Sequence, residues 1–288
     1  MNNEELNDLQ RIVKEAMDEY NHQQIIDFEG YSPYEMQYIL YYTFGPDSPI
    51  QLRKINDSDF IKIPIFNQIK YVLEFIEKKG EIKLTSKGNF PVNLVKEIYS
   101  QGFIKDKKIE KGFVKLYKET DSIPIHLTHI LIKLSGLVIK RQGKLYLTKN
   151  YEKYVSDNNE LLKLIFITFA NKFNWSYFDR YGENNIGQLG FGFSLILLSK
   201  YGNEKRTDTF YAEKYFKAFP ILNSSIVYHK NDSSKETANR CYSLRTFDRF
   251  LNYFGIIDVI YEGIFNEKKY ITKTTLFDKL IYCKPHKL

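Results

Sequence analysis

The sequence predicts a mainly α protein with small β-hairpins, an α+β chain. Three observations predict it. First, Ile69, Val72, Leu73 and Ile76 recur at i, i+3, i+4 and i+7, the spacing of one buried helix face. Second, the stretch Ile82–Pro91, Ile-Lys-Leu-Thr-Ser-Lys-Gly-Asn-Phe-Pro, follows that face as a short strand and a turn. Third, Leu145–Lys149 (Leu-Tyr-Leu-Thr-Lys) and Tyr270–Lys273 (Tyr-Ile-Thr-Lys) echo it, each again after a helical pattern.

At 288 residues the chain has room for one or two domains. Its 23 Tyr and 22 Phe predict thick aromatic packing between helices. No apolar run approaches the roughly 18 residues that span a bilayer. The start, Met-Asn-Asn-Glu-Glu, lacks the basic-then-apolar order of a signal peptide. Cys241 and Cys283 make no disulfide framework. The expected location is therefore cytoplasmic, with no membrane partner. Charge is uneven. Residues 1–60 carry 12 acidic and 4 basic side chains, whereas residues 61–155 carry 9 and 19. A basic body attracts polyanions, and the bland alternative is an acidic N-terminal part docked on it.

An acidic helical segment is expected over residues 1–60. Leu6, Leu9, Val13, Ala16, Met17 and Tyr20 form the stripe of an amphipathic helix. Ser32-Pro33-Tyr34-Glu35 is a capping box with proline at the first helical position. Gly45–Pro49 breaks that helix, and a polar connector runs to Pro64.

Residues 61–155 read as two winged-helix-like units. In the first, Asn67 caps a helix that Gly80 ends, Glu81–Thr85 is a strand, and Pro91 opens a helix closed by Gly102. A basic hairpin is expected across Lys105–Lys118. In the second, Asp121 or Ser122 caps a helix with Leu127, Ile130, Leu131 and Leu134 inward. Two strands follow, Leu137–Lys140 and Lys144–Leu147, turned by Arg141-Gln142-Gly143. Thr148 then starts another helix.

Residues 156–288 read as an aromatic-rich helical region ending in a third such unit. Helices are expected at Asn159–Lys172, Leu189–Lys200 and Thr209–Phe219, the middle one apolar all round and so central. Residues 223–239 are polar and expected as an exposed loop. Ser243 caps a helix with Arg245, Arg249 and Asn252 outward. A hairpin, Ile256–Tyr261 with Lys269–Thr272, turns at Gly263–Asn266. The fold class is thus tandem winged-helix-like units around central helices.

No catalytic motif emerges. His126 and His129, three apart, have the spacing of metal ligands but no third ligand on their helix, and are expected as exposed polar side chains. Gly187-x-x-Gly190-x-Gly192 is not a dinucleotide fingerprint, since it precedes an apolar helix. Asp179-Arg180 near Trp175 is expected as a surface ion pair beside a packed aromatic corner, with the indole buried among Phe173 and Phe178. No cofactor, metal or catalytic residue is assigned, and an enzyme with a site at Trp175–Tyr181 is the least favoured reading.

The basic hairpins carry the positive signal. Lys140, Arg141, Lys144 and Lys149, with Lys105, Lys107, Lys108 and Lys111, are the candidate nucleic-acid contacts. A regulatory protein that contacts duplex nucleic acid is the first reading. The alternative is a protein-interaction scaffold that docks another protein on the same units.

The order Tyr-Ser-Pro-Tyr-Glu-Met (31–36), Leu-Thr-Ser-Lys-Gly-Asn-Phe-Pro (84–91), Phe-Asn-Trp-Ser-Tyr-Phe-Asp-Arg-Tyr (173–181) and Phe-Gly-Phe (191–193) resembles a group of uncharacterised bacterial proteins. The resemblance spans most of the chain. It implies a bacterial cytosolic origin and no activity. Some relatives add a cysteine-rich metal-binding tail. Here the tail has only Cys283.

Overall fold

The computed structural model describes residues 3–226, 234–263 and 268–286. It is 58% helix and 11% strand, the α+β class expected. Helix α1 spans Asn3–His22 and leans on α2, Pro33–Tyr41. Its apolar stripe is bare: Leu6, Leu9, Val13, Met17 and Tyr20 are all exposed, so the helix does not dock that stripe on the basic part. The capping box of α2 forms, with Ser32 Oγ accepting the Glu35 N–H and the Glu35 carboxylate accepting the Ser32 N–H. The stretch expected as connector contains a strand, β1 (Ile50–Leu52), paired antiparallel with the last strand, Ile281–Cys283. Tyr31 donates its hydroxyl to the Lys284 carbonyl at 2.6 Å beside this clasp. Three residues are too few to show an alternation, which is why the strand was not legible.

A short α3 (Asp57–Phe60) leads into α4 (Pro64–Lys79). Pro64 supplies the first helical position, and Asn67 is no cap: it lies inside the helix and donates to the Phe60 and Ile61 carbonyls. Then follow β2 (Ile82–Lys83), α5 (Val92–Ser100), α6 (Lys107–Glu110), α7 (Ile123–Leu134), β3 (Val138–Arg141) and β4 (Lys144–Leu147). The strands make one antiparallel sheet, ordered β2-β4-β3. The stretches read as two units therefore share a single sheet. No hairpin forms across Lys105–Lys118. Asp106 caps α6 there, and an irregular run follows.

Thr148 caps α8 (Lys149–Tyr154), and α9 (Asn158–Ile167) widens into a π-helical turn at Thr168–Lys172. After a connecting segment come α10 (Phe191–Tyr201), β5 (Arg206–Thr207), α11 (Asp208–Ala218), α12 (Ser234–Ser243), β6 (Ile257–Glu262) and β7 (Lys268–Lys273). Their sheet is ordered β5-β7-β6. Then come α13 (Thr275–Leu280) and β8 (Ile281–Cys283). Leaving aside the four-residue α6, the order helix, strand, helix, helix, strand, strand occurs twice, from α4 (unit one) and from α10 (unit two), and the third helices are then α7 and α12 with its π-helical continuation. The repeat extends to single bonds. Thr148 donates Oγ1 to the Gly136 carbonyl at 2.7 Å and N–H to Leu137 at 3.0 Å. Thr274 does the same to Gly255 at 2.9 Å and Ile256 at 3.1 Å.

Parts of unit two depart from expectation. Pro220–Ser225 is a 3-10 helix with Leu222 buried, and α12 already covers 234–239, so the described residues of the expected exposed loop are helical except Ile226. Its residues 227–233 lie outside the described residues, as does 264–266 of the expected hairpin turn. Ser243 is not a cap, since α12 runs straight into a π-helical segment, Leu244–Leu251. The centre is as expected. Phe191–Leu198 of α10 is buried all round. Around it Phe166, Phe169, Phe250 and Phe254 pack edge-on or tilted, with centroids 4.5–6.1 Å apart. Trp175 is buried and donates its indole N–H to the Phe169 carbonyl at 2.8 Å. Its ring partners are Phe250 and Phe169, not Phe173 and Phe178.

Candidate nucleic-acid interface

The hairpin of unit one turns at Gln142 (φ 47°) and Gly143 (φ 74°). Two consecutive positive φ angles define the tight turn whose twist matches flanking strands. The register sets Arg141 opposite Lys144, and Lys144 opposite Lys83 on β2. The turn 85–89 comes against this hairpin: a Cβ on Gly88 would lie 3.2 Å from Lys140 Nζ. Lys83, Lys87, Lys140 and Arg141 are exposed there, and none makes an ion pair among the described residues. Lys144 differs. Its ammonium contacts Glu81 at 2.7 Å, and Glu81 also accepts from Tyr146 Oη at 2.8 Å. The bond from Lys144, then that from Tyr146, holds the Glu81 carboxyl below its ordinary range. The same contact raises Lys144. Lys149 is exposed at the start of α8.

The other four candidates lie apart in the chain, in and beside α6. Lys108 and Lys111 are exposed. Lys105 pairs with Glu110 at 3.5 Å, and Lys107 sits over the Tyr261 ring of β6 at 4.1 Å. Beyond them Phe113 and Tyr117 are 78% and 68% exposed among Lys111, Lys115 and Lys118.

The helix before the hairpin, α7, presents almost no face. Only Lys133 and Leu134 are exposed on it. His126 and His129, expected in solvent, point inward to the fully buried Glu119. His129 Nδ1 lies 2.9 Å from its carboxylate, while its ring stacks on Phe90 at 4.3 Å. His126 also bonds Glu119 and packs on Tyr177 and Phe178. Burial raises the Glu119 carboxyl, but bonds from His126, His129 and the Phe90 N–H outweigh it and hold it at about 2. Glu119 was not singled out in the sequence, because it lies in the 3-10 turn before the helix and its seven- and ten-residue separations match no motif.

Unit two is locked similarly. Arg245 and Arg249, expected outward, turn inward. The fully buried Arg245 bonds both Asp179 oxygens at 2.7 and 3.2 Å, and the Asn184 side chain at 2.7 Å. Arg249 donates to the Phe178 carbonyl at 2.8 Å. Asp179 thus pairs with Arg245, not with Arg180. The segment around Tyr177–Asn184 lies against α7 and against the π-helical continuation of α12. Most cations at the second sheet are neutralised: Lys205 meets Glu262, Arg206 meets Glu204, Lys269 meets Asp248 and Lys273 meets Asp278, while Lys268 is exposed with no ion pair among the described residues.

Among the described residues no group of three or more His, Cys, Asp or Glu side chains is placed to hold a metal. No helix among them is long and apolar enough to cross a membrane. Residues 62–160 match the Y4jL N-terminal domain, an uncharacterised family. No curated protein and no solved structure matches the chain. The match covers about a third of the sequence, from just before α4 into α9, and so encloses unit one, its hairpin and all eight candidate cations.

Proposed function

We propose that this is a non-enzymatic nucleic-acid-binding protein of two winged-helix-like units, one over residues 62–160 and one from α10 to β8. The repeated element order and the sheet order, with the first strand beside the last, support the winged-helix reading. The hairpin of unit one is the wing, and it lies along the phosphate backbone of a duplex. The observation that carries this is the set of exposed, unpaired cations Lys83, Lys87, Lys140 and Arg141 around one tight turn. Cations placed so neutralise phosphates without reading bases. The helix before the wing, α7, exposes only Lys133 and Leu134 and leaves no reading surface, so binding through this unit is weak and indifferent to sequence. The protein-docking alternative is favoured by one separate observation, the bare apolar stripe of α1.

The test is a titration with duplex DNA at two salt concentrations. Lys140→Glu, Arg141→Glu and Lys144→Glu together lower affinity and flatten the salt slope by about one unit per lost phosphate contact. Thermal stability changes little, since exposed turn charges contribute under about 1 kcal/mol each. Equal affinities and slopes for the variant would remove the wing from the interface. Absence of wild-type binding at low salt would leave the docking reading in front.

A further inference from the structure

Between α6 and the 3-10 turn at Glu119, side chains alternate in exposure. Phe113, Lys115 and Tyr117 face solvent, while Val114 and Leu116 are partly covered, Leu116 packing on the core. The run is held at both ends. The Lys108 carbonyl accepts the N–H groups of Phe113 and Val114, and the Asp121 carboxylate accepts those of Tyr117 and Lys118. Neither ring stacks on another aromatic side chain among the described residues. Lys111, Lys115 and Lys118 are exposed along the same run, and none is ion-paired among the described residues.

We infer that this run is a platform for single-stranded nucleic acid, with Phe113 and Tyr117 each stacking an unpaired base, Lys115 meeting the phosphate between them and Lys111 and Lys118 those on either side. The inference rests on the nucleic-acid reading of the wing and extends it to a second surface. Three physical arguments carry it. Exposed aromatic rings interleaved with cations match the faces of bases and the charges of a single-stranded backbone. Phe113 and Tyr117 are four residues apart with the exposed Lys115 midway, so a cation stands between the two rings along the run. A duplex hides the faces of its bases within the stack, so the rings act only on a strand that is open. The wing offers charge without rings, and this run offers both.

The test is fluorescence anisotropy with labelled oligodeoxythymidylate of about 20 nucleotides and with a duplex of equal length, a span that covers one stacking site. Phe113→Ala with Tyr117→Ala is expected to weaken single-strand binding roughly 10- to 100-fold. The same variant leaves duplex binding within about twofold and the melting temperature unchanged, since both rings are exposed. Tyr117→Phe keeps the ring and retains affinity. Wild-type binding to duplex but not to the single strand would overturn the inference and leave the wing reading intact. Binding to neither would overturn both. Unchanged single-strand affinity, with the double variant instead dissociating a dimer seen by light scattering, would overturn it and assign the rings to self-association.

Discussion

The two units repeat a closely similar order of elements, yet the first holds more free cations at its sheet. In unit two, Lys205, Arg206, Lys269 and Lys273 each meet a carboxylate, and Lys268 stands exposed without an ion pair among the described residues. In unit one, Lys83, Lys87, Lys140 and Arg141 meet none, and Lys144 is the one cation there that Glu81 pairs with. Topology decides where a side chain stands. The neighbouring carboxylates decide whether its charge reaches solvent. The third helices make the matching point in the interior. Each donates to a buried carboxylate from outside itself, through imidazoles of His126 and His129 in unit one and through the Arg245 guanidinium in unit two.

Arg245→Ala tests that parallel with the largest effect. It leaves the buried Asp179 with only the Tyr181 N–H at 3.0 Å and the Arg249 guanidinium at 3.9 Å, and should cost about 3 kcal/mol in a urea titration. An effect under about 1 kcal/mol would mean the ion pair is not what holds the helix. The two hinge glycines come next. Gly136 and Gly255 have the same left-handed backbone, with φ 73° and 65°. Their surroundings differ. A Cβ on Gly136 would find only Asn150 Nδ2, at 3.6 Å, whereas one on Gly255 would lie 2.1 Å from the Lys62 carbonyl oxygen. Gly136→Ala should cost about 1 kcal/mol, from the backbone alone. Gly255→Ala should cost about 3 kcal/mol, since Lys62 at the foot of α4 must move. Equal losses would show that the contact with Lys62 yields freely.

The third prediction concerns acid. The Glu119 carboxyl titrates at about 2 in the fold, against an ordinary 4.5. A carboxyl held low stabilises the fold above its ordinary value, and that contribution fades as pH falls from about 4.5 toward 2. Glu119→Gln should therefore lower stability by about 2 kcal/mol at neutral pH and flatten the pH dependence across that window. An unchanged acid limb would place the acid-labile group elsewhere. The smallest effect belongs to Glu81→Gln. It frees Lys144 and should steepen the salt slope for duplex DNA by about one unit. Folding stability should shift little, because both side chains stay partly in solvent. An unaltered slope would place Lys144 off the phosphate path.

The helices and hairpins were legible because their signals are local. Ser32 and Glu35 satisfy each other within one turn, and Arg141-Gln142-Gly143 needs only its own backbone. What escaped was set by distant partners. Strand β1 is three residues long and becomes a strand only by pairing with β8, near the other end of the described chain. Arg245 read as outward because a 3.6-residue period was assumed. The π-helical segment from Leu244 widens the turn and carries Arg245 and Arg249 to the side of Asp179. The site divides in the same way. The lysines could be counted in sequence, but their freedom could not, since Glu81 and Glu110 remove some of it and Tyr261 engages Lys107.

The pairing of β1 with β8 has a kinetic consequence. It joins Ile50 to Cys283, with both units lying between them along the chain. A contact that closes so long a loop costs more chain entropy than any pairing inside a unit. Local contacts form faster than distant ones. We expect each sheet to form before this clasp does, so that refolding passes through a species with both units made and the ends still apart. Hydrogen exchange during refolding would then protect the amides of β4 before those of β1. Protection of β1 first would mean that the ends meet early and the units form within a closed ring.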